Sequence, residues 1–210
     1  MASAQQARDT SRITEEGKAT INEQAKETQA ALQAKCKLNR KGSQDELVLS
    51  TGELVLVTGV MKNLQRRGIM LQKSYDWKGQ FISKPPDKTI GEHADGAFVH
   101  QGAPSIVGSK GAMIYGHFDH ASPKLGWLLA WCRPDSSNEL NKVYVEAGNL
   151  VKLMGMEWSD IAQKLDASRS SSRYQDRETG ATADADIKNY GDKLALLRAS
   201  FDHSAPIPNR

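Results

Sequence analysis

Few features of this sequence point to secretion, membrane insertion or disulfide bonding. Its 210 residues include only two cysteines, Cys36 and Cys132, which lie far apart and have no CxxC or zinc-like companions. Residues 1–31 lack the apolar stretch of a signal peptide, and no run of about 18 apolar residues occurs that could span a membrane. We therefore expect a soluble, intracellular and cytoplasmic protein with no transmembrane segment and with both thiols reduced.

Charge and catalytic motifs are also scarce. The formal net charge is only +3, so no strong overall field draws the chain to nucleic acid, and we expect no nucleic-acid partner. The sequence has no GxSxG nucleophile elbow and no Cys-His signature. Gly108–Gly111 lacks the spacing of a phosphate-binding loop and precedes an apolar run, so its glycines predict a tight turn. We therefore expect no enzymatic activity and no cofactor.

One short segment remains as a candidate for catalysis. His117, Asp119 and His120 place two imidazoles and a carboxylate within one tetrapeptide, a set that can bind a metal ion and support a metal-dependent enzyme. The segment lies between two predicted strands, however, and Ser122–Pro123 follows it. These surroundings favour a polar hairpin loop. We predict no metal site and keep the three residues as weak candidates.

What the chain does contain is a series of short apolar runs bounded by glycine, proline, serine or asparagine. Such runs are typical of successive strands in an antiparallel sheet. They cover residues 53–59, 69–73, 80–83, 96–100, 108–115, 126–131 and 141–145. Trp127, Leu129 and Trp131 share one face of a strand and predict a buried core. The sequence thus predicts a mainly β protein with the architecture of an antiparallel β-sandwich.

Other segments have different patterns. Tyr75–Gly79 is predicted to form a bend, and residues 168–180 a polar loop. The apolar spacing of Trp158–Leu165 predicts a short helix after the central strands. Residues 181–201 fit either a terminal hairpin or a helix. We prefer the hairpin, because Asn189–Asp192 has the composition of a turn.

Composition divides the chain into three parts. Residues 2–35 are rich in Gln, Ala, Glu and Lys and predict an N-terminal α-helix, which a short basic run follows. We place this helical extension and its basic linker at residues 1–45. The β-sandwich domain is predicted at residues 46–204, and a tail at 205–210.

The order of the segments resembles a known family. The chain presents Tyr75–Gly79, Pro85–Pro86, Gly96–His100, Gly108–Tyr115, Gly126–Trp131 and Asn141–Val145 in the order of the 23 kDa jasmonate-induced proteins of plants. It is similar, more distantly, to the actinoporin-like β-sandwiches, which include fungal lipid-binding members. The resemblance implies two packed antiparallel sheets with flanking helices. It also implies a non-enzymatic, jasmonate-induced protein of plant stress or defence.

The more distant resemblance implies a ligand site in the loops of the sandwich. Actinoporins bind phosphocholine with a serine and a proline at the end of an apolar strand, and here Cys132 stands at the serine position and Pro134 matches the proline. Lys78 occupies another polar position of that pocket and adjoins Trp77. The loop at residues 135–140 has no aromatic side chain for a choline cage. These four residues are the candidates for binding a lipid headgroup or a glycan.

The N-terminal segment leads to two further expectations. Residues 2–35 have few large apolar side chains, so burying this helix in a bilayer is unfavourable, and we expect no pore formation. In the alternative functional hypothesis, the same helix is the working part of an interaction or protective protein.

Overall fold

A computed structural model describes residues 55–82, 85–102, 108–117, 124–136, 138–190 and 192–204. The predicted N-terminal helix, the basic linker, the tail, Asp119 and His120 lie outside these residues, so the domain boundaries and the helix-based function remain predictions. The strands are β1 (Leu56–Asn63), β2 (Ile69–Lys78), β3 (Gln80–Phe81), β4 (Thr89–Ile90), β5 (Asp95–Gln101), β6 (Ser109–His117), β7 (Leu125–Arg133), β8 (Lys142–Asn149), β9 (Ser171–Gln175), β10 (Ala181–Asn189) and β11 (Leu194–His203). The helices are α1 (Leu150–Met154) and α2 (Trp158–Asp166).

The strands form two sheets that pack face to face. One sheet has the order β3-β5-β1-β11-β10-β9 and the other has the order β4-β2-β6-β7-β8. This confirms the predicted mainly β, two-sheet architecture. One pairing departs from a fully antiparallel sandwich, because β1 and β11 run parallel, with Leu56 opposite Leu194. The two strands lie far apart in the chain and no hairpin joins them, so their connection does not impose an antiparallel pair.

Large aromatic and aliphatic side chains fill the space between the sheets. Trp127, Leu129 and Trp131 point into it from β7 and are fully buried, which confirms their predicted place in the core. Phe98 and Phe201 of the opposite sheet pack against these rings, with centroids 4.8 Å from Trp131 and 6.4 Å from Trp127 respectively. Burial of such a side chain stabilises the fold by about 1.5–3 kcal/mol.

Both helices pack on the outer face of the sheet that contains β7. Ile161 and Leu165 of α2 and Leu153 of α1 are buried there against alanine and larger aliphatic side chains of β6 and β7. The helix α2 confirms the short helix predicted after the central strands. Among the described residues, neither helix has the length and apolar character needed to cross a membrane.

Three local predictions have different outcomes. Most of Tyr75–Gly79 is not a bend, since β2 continues to Lys78 before Gly79 turns the chain. Within the predicted polar loop, Ser171–Gln175 forms the edge strand β9, because its backbone pairs with β10 although its side chains are polar. The C-terminal segment forms the preferred antiparallel hairpin of β10 and β11, so its helix alternative is wrong.

Candidate ligand-binding site

Four residues form a row across the outer face of the helix-covered sheet. Lys78 of β2 lies opposite Lys110 of β6, Lys110 lies opposite Cys132 of β7, and Cys132 lies opposite Lys142 of β8. Residues directly opposite one another point to the same face of a sheet. At about 4.8 Å between strands, the row spans roughly 14 Å. We call Lys78, Lys110, Cys132 and Lys142 the lysine row.

A β-bulge brings two of the predicted site residues to this row. Asp76 pairs with Gly111 and Lys78 pairs with Lys110, so Trp77 and Lys78 together oppose the single residue Lys110. The turn that follows requires glycine, because Gly79 has φ +93° and a Cβ atom there would lie 2.2 Å from the carbonyl oxygen of Gln101. The bulge therefore explains how Trp77 and Lys78, which are adjacent in β2, both lie beside Lys110.

Three aromatic side chains adjoin the row. Tyr75 and Trp158 stack with ring centroids 5.2 Å apart, and Trp77 meets Tyr75 edge-on at 5.4 Å. We call Tyr75, Trp77 and Trp158 the aromatic cluster. Lysine ammonium groups lie over two of its rings: Lys110 Nζ is 5.5 Å from the Trp77 centroid, and Lys73 Nζ is 5.0 Å from the Trp158 centroid. These distances are those of cation–π contacts.

The C-terminus of α2 supplies negative charge to the row. Lys110 Nζ lies 2.7 Å from Asp166 Oδ1, and Lys142 Nζ donates to the main-chain oxygen of Asp166 at 2.6 Å. A helix C-terminus carries a partial negative charge that cations stabilise. Two of the lysines thus hold the end of α2 on the sheet, while Lys78 is exposed at the edge of the row.

The thiol at the centre of the row is neutral at physiological pH. Burial raises the pKa of Cys132 above its ordinary value, and the Asp166 carboxylate acts in the same direction. The three lysines of the row act in the opposite direction without reversing the shift. The protonated thiol is a weak hydrogen-bond donor and a poor nucleophile.

The fourth predicted residue lies beyond the row. Pro134 follows the last residue of β7, and its carbonyl oxygen accepts a 2.5 Å hydrogen bond from the buried guanidinium of Arg133. Gly108 packs beside it at φ +95°, where a Cβ atom would lie 2.8 Å from the carbonyl oxygen of Arg133. The structure therefore brings Trp77, Lys78 and Cys132 together and leaves Pro134 in the adjoining loop.

A buried hydrogen-bonded chain lies behind the bulge, and the sequence did not predict it. Ser109 Oγ lies 2.8 Å from His100 Nδ1, and His100 Nε2 lies 3.3 Å from Asp76 Oδ1. Trp131 Nε1 donates to the same Ser109 oxygen at 3.2 Å. Although these residue types occur in hydrolases, Ser109 and His100 are fully buried, so a substrate cannot reach them in this conformation.

The three weak candidates for metal binding are described only in part. His117 is buried, its Nε2 lies 2.8 Å from Gln65 Oε1, and its ring packs edge-on against Trp127 at 5.2 Å. Asp119 and His120 lie outside the described residues. In the described part of the chain, no three side chains of His, Cys, Asp or Glu are grouped as metal ligands. These contacts give His117 a packing role at the end of β6.

Sequence reasoning missed Lys110, Lys142, Trp158 and Asp166 as members of the site. The available signal was positional, since Lys110 and Lys142 stand at the start of predicted strands that flank the strand of Cys132. Pairing those three strands antiparallel places both lysines beside the thiol. Trp158 and Asp166 depend on how α2 crosses the sheet, which residue spacing does not specify.

Comparison with known proteins agrees with this architecture. The model of the Nakanori-like protein family matches residues 4–193. The jasmonate-induced protein homolog of Atriplex canescens is 29% identical over 143 residues, which cover 67% of this chain and 76% of that protein. The crystal structure of lipid-binding protein Nakanori matches with a TM-score of 0.62 and 20% identity, over 96% of this chain and 94% of that chain. The first relative confirms the resemblance to jasmonate-induced proteins, and the solved structure confirms the fold.

Proposed function

We propose that this chain, which belongs to the Nakanori-like protein family, is a non-enzymatic lipid-binding protein that contacts a lipid surface with the lysine row and the loops next to it. The lipid-binding activity of Nakanori supports the choice of ligand class. Relation to a jasmonate-induced protein homolog supports a role in plant stress or defence. A cytoplasmic location, where lipid headgroups of the inner leaflet are accessible, is part of the same proposal.

The observation that carries the proposal is the combination of cations and aromatic rings at one edge of the outer sheet face, where Lys78 and Tyr75 are exposed. Lysine side chains attract anionic membrane surfaces, and tryptophan and tyrosine favour the membrane–water interface. In this protein the lysine row and the aromatic cluster touch one another through Lys110 and Trp77. Each component alone is common on protein surfaces, whereas their contact provides both parts of an interfacial binding site.

Two exposed apolar side chains extend this edge. Leu140 and Tyr190 are 79% and 51% exposed, and they adjoin Asn141 and Asn189, whose side chains are hydrogen-bonded at 2.7 Å. Lys142 of the lysine row follows directly. Apolar side chains beside lysines can enter the headgroup region while the ammonium groups stay in water. Leu140 and Tyr190 are therefore expected to anchor the protein to the lipid surface.

The test is flotation of the full chain with lipid vesicles. The double variant Leu140→Ser, Tyr190→Ser is expected to reduce the bound fraction on every vesicle composition that binds the unaltered protein. Val151→Ser is the matched control, because Val151 is 75% exposed but lies on α1, at the opposite end of β8 from Lys142. Failure of the unaltered chain to float with any vesicle, or equal losses in the variant and the control, contradicts the proposal.

A further inference from the structure

We infer that the lysine row is a binding site for an anionic phosphate group and selects phosphate esters with net negative charge over zwitterionic phosphocholine. This inference rests on the proposed function only in taking lipid as the source of the phosphate. The same chemistry is available from a phosphatidic acid headgroup or from a soluble phosphate. Lys78, Lys110 and Lys142 supply the positive charge, and Cys132 lies between the last two.

Positive charge exceeds negative charge at the row. Lys110 faces the full charge of the Asp166 carboxylate, but Lys142 faces a main-chain oxygen that carries only the partial charge of the helix terminus. Lys78 adds a further cation. With about half a negative charge at a helix C-terminus, the excess is about one and a half positive charges. The Asp76 carboxylate lies on the other face of β2, 3.3 Å from His100 Nε2, so it reduces this excess only from a distance.

Lys110 and Lys142 flank Cys132, and their ammonium groups converge on Asp166 at the end of α2. A phosphate at this position competes with Asp166 for these two ammonium groups, while Lys78 is exposed at the edge of the row. The thiol is neutral and adds no repulsion. Ammonium groups bind phosphate as point charges and as hydrogen-bond donors.

The aromatic cluster argues against a choline headgroup. A quaternary ammonium binds to the faces of several aromatic rings. Here the protein's own cations lie over those faces, since Lys110 Nζ covers Trp77 and Lys73 Nζ covers Trp158. An incoming quaternary ammonium meets like charge at both rings. The same two ammonium groups also contact oxygen atoms, Lys110 Nζ at the Asp166 carboxylate and Lys73 Nζ at the main-chain oxygen of Met154.

The experiment compares vesicles of phosphatidylcholine alone with vesicles that also contain phosphatidic acid, by flotation at fixed ionic strength. Lys78→Glu changes two units of charge and should lower partitioning onto phosphatidic acid vesicles about thirtyfold, and Lys78→Gln about fivefold. Lys124→Glu is the matched control, because this exposed lysine precedes β7 at the end opposite Cys132. Far-ultraviolet circular dichroism verifies that each variant is folded.

Inorganic phosphate, added alone and followed by amide chemical shifts, distinguishes the two sources. Both the lipid function and the phosphate site are supported if the protein floats selectively with phosphatidic acid vesicles, and if Lys78→Glu removes this binding while Lys124→Glu preserves it. Equal binding to both vesicle types, unaffected at Lys78, overturns the phosphate site and leaves lipid binding standing. If inorganic phosphate changes the amide chemical shifts of Cys132 and Lys78 but the protein does not float with vesicles, the phosphate site is supported and the lipid function is overturned. Neither response, or equal losses in both glutamate variants, overturns the phosphate site.

Discussion

At the scale of single residues, His100 links the buried interior to the bulge that presents Trp77 and Lys78. The indole of Trp131 can only donate a hydrogen bond and the carboxylate of Asp76 can only accept one. Because the Asp76 carboxylate accepts, His100 Nε2 carries the proton of that hydrogen bond. In the tautomer with its proton on Nε2, His100 Nδ1 accepts from the Ser109 hydroxyl, which in turn accepts from Trp131. This chain of hydrogen bonds fixes the side chain of Asp76, the residue that precedes the bulge.

Two substitutions at His100 separate its stabilising role from its positioning role. His100→Gln keeps a donor for Asp76 but leaves the buried Ser109 hydroxyl without its acceptor, at a cost of about 1–3 kcal/mol in the free energy of unfolding. His100→Asn keeps an acceptor for Ser109 and releases Asp76, whose side chain is 32% exposed and can be hydrated. Urea denaturation should rank the asparagine variant as more stable, whereas vesicle flotation should rank the glutamine variant as the better binder. The same order in both measurements contradicts the positioning role.

At the scale of secondary structure, α2 both stabilises and restrains the site. Its buried residues fix it on the sheet, and Lys164 Nζ reaches Glu146 Oε2 at 2.9 Å. Glu146 also accepts a hydrogen bond from Tyr144. Burial, and after it this hydrogen bond, raises the pKa of Tyr144 well above its ordinary value. Tyr144 therefore stays protonated across the physiological pH range. At the C-terminus of the same helix, Asp166 competes with any external anion for Lys110.

Removing that competing carboxylate should strengthen phosphate binding. Asp166→Asn deletes one negative charge beside Lys110, so partitioning onto phosphatidic acid vesicles should rise about fivefold. Because Asp166 is 56% exposed, loss of its ion pair should lower the free energy of unfolding by no more than about 1 kcal/mol. Flotation and urea denaturation measure the two effects. Asp160→Asn in the first turn of α2 is the control, and an equal increase there would assign the effect to overall charge.

Elements built from local signals were predictable, whereas those built from pairing were not. The apolar run in residues 126–131 and the turn at Asn189–Asp192 indicated β7 and the C-terminal hairpin, because both patterns are contained within a few residues. The strand β9 has polar side chains and exists through its backbone pairing with β10. The lysine row likewise requires the register of four strands. The sequence resemblance led to Lys78 and Cys132, while Lys110 and Lys142 required the sheet.

At the scale of the whole molecule, the first and last strands described are neighbours in the middle of one sheet. β1 pairs with β11 on one side and with β5 on the other. The backbone continues this contact past β1, where Leu64 N donates to Phe201 O at 2.8 Å. Strands so distant in sequence close the sheet only when the intervening chain is folded, so we expect β1 and β11 to unfold together.

Phe201→Ala tests this cooperativity. Phe201 is fully buried and packs against Trp127 and Tyr115, so its truncation should lower the free energy of unfolding by about 3–5 kcal/mol. Hydrogen exchange followed by mass spectrometry should then show equal losses of protection in β1 and β11, because both exchange through the same global opening. Tyr190→Ala, at the exposed turn before β11, should change stability by less than about 0.5 kcal/mol. If β1 keeps its protection from exchange while β11 loses it, the two strands do not unfold together.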